Sequence, residues 1–84
     1  MRTFDSVSIR RAEPADIEAI ERLAALDGRR VRAGEHLIAD VEGEAWAAVS
    51  VQTGDVVADP FLPTAHVADL LRLHAACLRE QQTR

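Results

Sequence analysis

Few side chains in this 84-residue chain are able to do chemistry: His36, His66 and His74, the single cysteine Cys77, the aspartates Asp40, Asp55 and Asp59, and an arginine cluster at Arg29, Arg30 and Arg32. A zinc site needs three or four donors held together. His66 and His74 stand eight residues apart, with no carboxylate or thiol to complete a set, so the histidines read as surface or partly buried side chains and no metal site is expected. Cys77 lies in an apolar stretch with helical spacing, where a thiol packs rather than attacks. Asp40, Asp55 and Asp59 are candidates for a general base. Asp55 beside Gly54 and Asp59 before Pro60 are turn-forming residues, which accounts for both without catalysis. Thr64 with His66 could present a small anion site at a helix start, but Thr64 as an N-cap explains the same residues without a ligand. Arg29, Arg30 and Arg32, with Arg10 and Arg11, could form a patch for a phosphate-bearing partner. No aromatic residues are interleaved with them to stack bases, so they read as a solvated loop. Trp46 reads as core, and no catalytic residue is assigned.

The elements that would position these residues must come from a single domain. A chain of this size buries only about 60–65% of its unfolded surface. Fifteen alanines and three aromatics, Phe4, Trp46 and Phe61, make the core thin, so a partner subunit is a natural source of further stability. Fourteen acids face ten basic residues, all arginine, for a net charge of −4, which argues against general nucleic-acid binding. One cysteine cannot form an internal disulfide, which fits a reducing compartment. The N-terminus carries Asp5, Arg10 and Arg11 without an apolar run, so no signal peptide is read. The apolar stretch Ala65 to Leu78 is too short for a bilayer and contains Asp69 and Arg72. The expectation is a cytoplasmic protein that neither spans a membrane nor binds nucleic acid.

Hydrophobic period divides the chain. Met1 to Ser6 reads as a loose polar end. Val7 to Arg11 alternates as a half-buried strand. Pro14 and Asp16 open a helix whose apolar stripe is Ile17, Ile20, Leu23 and Ala24, stopped by Gly28. The arginine loop follows. His36 to Val41 and Glu44 to Val51 are strands joined at Glu42-Gly43, the second apolar on both faces and so central in a covered sheet. Val56 to Ala58 is the third strand of the meander, closed by Pro60 and Pro63. Thr64 caps a last helix, about residues 65–79, with an apolar stripe of Val67, Leu70, Leu71, His74 and Leu78, flanked by Leu73 and Cys77.

Three segments in this order resemble the N-terminal half of a GNAT-type N-acetyltransferase. Ile9-Arg10-Arg11-Ala12-Glu13-Pro14-Ala15-Asp16, with Ile17 and Ile20, is similar to the family's opening strand and first helix. Leu37-Ile38-Ala39-Asp40-Val41-Glu42-Gly43-Glu44, continuing to Val51, is similar to its central hairpin, and Val56-Val57-Ala58-Asp59-Pro60 to its fourth strand. The resemblance runs from Val7 to Leu78. In that family an arginine-glycine-x-glycine-x-glycine/alanine loop follows the fourth strand, and its backbone N–H groups hold the pyrophosphate of acetyl-CoA. The matching positions here are Pro63, Thr64, Ala65, His66, Val67 and Ala68. The glycines are absent, Pro63 offers no N–H, and alanine and histidine side chains crowd a close approach to phosphate. The later strands and helix that complete the family's pantetheine cleft have no counterpart in these residues.

These readings predict an α/β (α+β) fold of order β-α-β-β-β-α: a four-stranded, mainly antiparallel sheet with a helix on each face, resembling an acetyltransferase half-domain. Residues 1–84 would form one truncated domain with an ordered core of about 7–79. The expected function is that of a non-catalytic, self-associating interaction module without a cofactor. Its uncovered third meander strand and wide apolar helix predict a homodimer, or docking onto another protein chain, through Leu70, Leu71, Leu73, His74, Cys77 and Leu78. The alternative is an acyl-CoA-binding protein or N-acetyltransferase whose cleft a second chain completes. The resemblance would then place acetyl-CoA contacts at Val57, Ala58, Thr64, Ala65 and His66. A third reading is a small regulatory partner of a larger enzyme.

Overall fold

Apolar and polar residues alternate in Val7–Arg11, and this segment forms strand β1 at one edge of the sheet. The computed structural model describes residues 7–31 and 34–82. The polar N-terminal stretch 1–6, Arg32 and Ala33 of the arginine loop, and residues 83–84 lie outside the described residues. β1 pairs antiparallel with β2 (His36–Val41), from Val7 opposite Val41 to Arg11 opposite Leu37. β2 pairs with β3 (Glu44–Ser50), and β3 with β4 (Val56–Ala58), giving an antiparallel sheet of order β1-β2-β3-β4. The β2–β3 hairpin closes on Glu42 and Gly43, with φ of 53° and 85°. Two left-handed residues are what a two-residue hairpin turn requires if its strands are to keep their right-handed twist. A bulge between Ala39 and Asp40 sets Ala39 opposite Ala47 and Asp40 opposite Ala45. Trp46 is therefore the extra residue, and it packs half-buried beneath the C-terminal helix.

Between β1 and β2 the chain makes a 3-10 turn (Pro14–Asp16) and helix α1 (Ile17–Leu26). Asp16 anchors this entry. Its carboxylate accepts the Glu13 N–H at 2.7 Å and two bonds from the Arg10 guanidinium at 2.8 and 3.0 Å. These donors, Arg10 foremost, lower its pKa to about 2. Arg10 also donates to Asp40 at 3.0 Å, tying β1, β2 and the turn together. Ile20, Leu23 and Ala24 face the sheet, whereas Ile17, expected in the same stripe, is 46% exposed. Ile17 is the first residue of the helix, and the buried face begins one turn later, at Ile20. α1 ends at Asp27 and Gly28, the latter left-handed as expected of a helix stop.

Helix α2 (Ala65–Gln82) covers the other face. Period-two alternation sorts the sheet residues between two cores. Leu37, Ala39, Ala47, Val49 and Val56 meet Val67, Ala68, Leu71 and Ala75 of α2, while Ile38, Ala48 and Val57 meet Ile20, Leu23 and Ala24 of α1. β3 is thus buried on both faces, as its composition predicts. The stripe of α2 differs from expectation. Its sheet-facing arc is Val67, Ala68, Leu71, Ala75 and the half-buried Leu78. Leu71 is 0% exposed and belongs to the core, so it is not an interface residue, and Leu78 packs on that same core. Small side chains let the helix lie close to the sheet, and the alanines therefore mark the contact line better than the larger residues beside them. No helix among the described residues is long and apolar enough to cross a membrane.

Candidate functional site

The strand-to-helix connector after β4 is the place where the resemblance would put a pyrophosphate. Its backbone donors from 59 to 64 are already used. Asp59 N–H donates to the Trp46 carbonyl at 3.1 Å, and Phe61 N–H to the Asp59 carboxylate at 2.9 Å. Leu62 N–H donates to the Asp59 carbonyl at 3.2 Å and Thr64 N–H to the Leu62 carbonyl at 2.9 Å. Pro60 and Pro63 have none to give. An aspartate turn and two prolines thus close the connector on itself and leave Phe61 82% exposed outside it. The Thr64 carbonyl accepts the Ala68 N–H at 2.8 Å, which puts Thr64 at the N-cap position. Ala65 and His66 follow as exposed residues on the first turn of α2.

β4 is the second element the resemblance points to. Asp59 N–H bonds to Trp46, and the Asp55 carbonyl accepts Ser50 N–H at 2.9 Å, so residues 55, 57 and 59 turn their backbone groups toward β3. By alternation, Val56 and Ala58 turn theirs to the free edge. That edge is partly closed: Ala58 N–H donates to the Asp27 carboxylate at 3.2 Å. The Val57 side chain is buried toward α1 and that of Ala58 packs toward α2. The sequence analysis did not single out Asp27. Its position at the helix end, in register with the apolar face, was the available signal.

The outer surface of α2 divides into unlike flanks. On one, Arg79 donates to the Val51 carbonyl at 2.9 Å, and Asp69 pairs with Arg72 at 3.1 Å. On the other lie His66, Leu70, Leu73, His74 and Cys77. Leu73 is 60% exposed, Cys77 and His74 are exposed, and Leu70 is half-buried. His74 Nδ1 lies 2.8 Å from the Leu70 carbonyl, which accepts its hydrogen and holds the ring along the helix. Of the six expected contact residues, this flank keeps Leu70, Leu73, His74 and Cys77.

A hollow of about 490 Å³ opens on the α1 face, lined by Ile20, Arg29, Arg30, Val31, His36, Asp55 and Val57. Three chain segments build it. The loop leaving α1 brings Arg29 and Arg30, the start of β2 brings His36, and the start of β4 brings Asp55 and Val57. The alternation of β2 turns His36, like Ile38, toward α1. The residue is 8% exposed, with Nδ1 3.0 Å from the Gly34 carbonyl. A carbonyl only accepts, so Nδ1 carries the hydrogen. The arginine loop and His36 therefore share a concave surface, whereas the sequence reading treated them as a solvated loop and an ordinary histidine. Arg29, Arg30 and Asp55 carried no spacing signal for this, since the hollow depends on how α1 crosses the sheet.

Among the described residues no group of three or more His, Cys, Asp or Glu is placed to hold a metal ion. Asp40 is engaged by Arg10, and Asp59 by the connector's own backbone. No protein-family model, curated protein or solved structure matches the chain.

Proposed function

We propose that this domain is a non-catalytic interaction module, framed like a truncated acetyltransferase half-domain, that pairs with a second copy of itself through the outer flank of α2. The observation that carries the proposal is the apolar ridge of Leu70, Leu73 and Cys77, with Leu73 60% exposed, on a helix whose core contacts are already made by other residues. Residues 66, 70, 73 and 77 follow alternating steps of four and three, the interval at which side chains of two packed helices interlock. A two-fold contact places the same residues against each other, so the surface must be self-complementary. Copies of a chain with net charge −4 repel, and this ridge carries no formal charge at its centre. Asp69, paired with Arg72, and Glu80 stand at its rim, giving an apolar centre with a polar border.

The closed connector supports the non-catalytic half of the reading, because no cluster of unpaired N–H groups converges between β4 and Thr64. The Asp27 carboxylate on Ala58 N–H adds to it, since an acyl carbonyl would have to displace that carboxylate from the strand edge. Sedimentation velocity tests the proposal. The wild-type chain is expected to show a concentration-dependent dimer in the micromolar range, and Leu73→Glu a folded monomer with unchanged circular dichroism. A wild-type chain that stays monomeric through hundreds of micromolar overturns it. The second reading, acyl-CoA binding completed by another chain, is favoured only by the exposed Ala65 and His66 at the start of α2. Calorimetry with acetyl-CoA showing no heat at millimolar ligand rejects it.

A further inference from the structure

We infer that the hollow on the α1 face binds a small organic acid: an oxyanion head, carboxylate or phosphate monoester, on a short apolar body. This goes beyond the pairing proposed for α2, from which the sheet separates it. The volume of about 490 Å³ falls in the range of small-molecule sites. Its apolar wall is Ile20, Val31 and Val57, and its polar groups are Arg29, Arg30, His36 and Asp55. With His36 neutral, two guanidinium groups against one carboxylate leave the lining with a net positive charge inside a chain of net charge −4.

The donors have spare capacity. Arg30 has no ion-pair partner among the described residues. Arg29 Nε lies 3.7 Å from Asp27, and that carboxylate oxygen already receives the Ala58 N–H. With Nδ1–H of His36 committed to the Gly34 carbonyl, the neutral ring offers Nε2 only as an acceptor, so the arginines supply the donors to an oxyanion. Every fully buried side-chain polar atom among the described residues has a partner. Nε2 has none, so it is not fully buried. Arginine forks recognise carboxylates and phosphates through paired N–H bonds. An aliphatic tail against Ile20 and Val57 would orient the head toward the arginines.

The test is a two-dimensional NMR titration of the full ¹⁵N-labelled chain with sodium butyrate, butyl phosphate, butanol and sodium chloride at matched ionic strength. Saturable shifts of the Arg30, Val31, His36, Asp55 and Val57 amides are expected with at least one acid, and none with butanol or chloride. Butyrate against butyl phosphate separates the carboxylate from the phosphate source. Arg30→Gln should weaken binding by about tenfold or more, as loss of a charge-assisted contact does. Arg29→Gln, made separately, should also weaken it, and both side chains are exposed enough for either variant to keep the wild-type spectrum elsewhere. Leu73→Glu, on the opposite face, should leave binding unchanged, so failure of the pairing proposal and failure of this one are distinguishable. The inference is overturned if neither acid saturates by about 50 mM, far above the millimolar affinity a few contacts supply. It is equally overturned if butanol or chloride reproduces the shifts, or if both arginine variants bind as the wild type does.

Discussion

Asp27→Ala should expose how the open edge of the sheet is stabilised. The Asp27 carboxylate accepts Ala58 N–H at 3.2 Å across 31 residues of sequence, and its side chain is 31% exposed. Hydrogen bonds to charged groups contribute about 1.5–3 kcal/mol when well shielded. The long distance and partial exposure put this one at or below the lower end, about 1 kcal/mol. A domain of this length has a total stability of roughly 4–13 kcal/mol, so the loss is measurable without unfolding the chain. It corresponds to a fall of about 4–8 °C in Tm. Asp27→Asn keeps an acceptor oxygen and should lose about half as much. Thermal and urea denaturation give the energy, and hydrogen exchange at Ala58 gives its location. The amide should exchange about fivefold faster in Asp27→Ala, the equivalent of about 1 kcal/mol. An unchanged Tm would refute the estimate. A lowered Tm with unchanged Ala58 exchange would refute the edge argument itself, because the cost would then arise at the end of α1.

Leu71→Ala, at a site with no exposure, should cost about 3–5 kcal/mol in urea denaturation, whereas Leu73→Ala should change the stability of the monomer by no more than about 0.5 kcal/mol. Glu42 sits at φ 53° in the β2–β3 turn, and Glu42→Asn should raise stability by about 0.5–1 kcal/mol, read as a higher urea midpoint. Asp16 has a folded pKa of about 2, below its unfolded value, so its contribution is fully present above about pH 4 and fades as the pH falls toward 2. Asp16→Asn should therefore lower the urea midpoint at pH 7, with the two proteins converging as the pH approaches 2. A carboxyl ¹³C titration of Asp16 with an ordinary midpoint near 4 would contradict the Arg10 contacts.

Strand and helix positions were legible because each follows a local period: two in Val7–Arg11 and His36–Val41, near 3.6 in Ile20–Ala24. Glu42-Gly43 and Gly28 gave the turns for the same reason, since left-handed backbone favours particular residues. Features that depend on contacts between distant segments were not legible. The phase of α2 was misjudged because Ala68 and Ala75, which touch the sheet, look less apolar than Leu70 and Leu73, which do not. The Trp46 bulge shows only in the register of two strands. Asp27 on Ala58, and His36 beside Arg29 and Arg30, each join segments whose meeting is fixed by how α1 lies across the sheet.

That crossing also explains why the two faces offer such different surfaces. The 18 residues of α2 span about 27 Å and the 10 of α1 only about 15 Å. The longest strand, β3, with seven residues, runs about 23 Å. α2 is long enough to traverse the whole sheet, and Leu70, Leu73 and Cys77 stand outside it because they lie around the helix from the core-facing Val67, Leu71 and Ala75. α1 falls short. The chain leaves β1 where Ala12 N–H bonds the His36 carbonyl at 2.9 Å, and α1 finishes where Asp27 reaches Ala58, a diagonal that leaves the corner at Asp55 uncovered. The loop from Arg29 to Val31 then passes over that corner on its way to β2, and the space beneath it is the hollow. The alanine-rich core thus leaves a ridge on the face of α2 turned away from the sheet and a concavity where α1 falls short of covering it. Extending α1 by a turn at Gly28 should fill the hollow and abolish acid binding while leaving the α2 ridge and its pairing intact, an outcome that NMR titration and sedimentation velocity on one variant would read together.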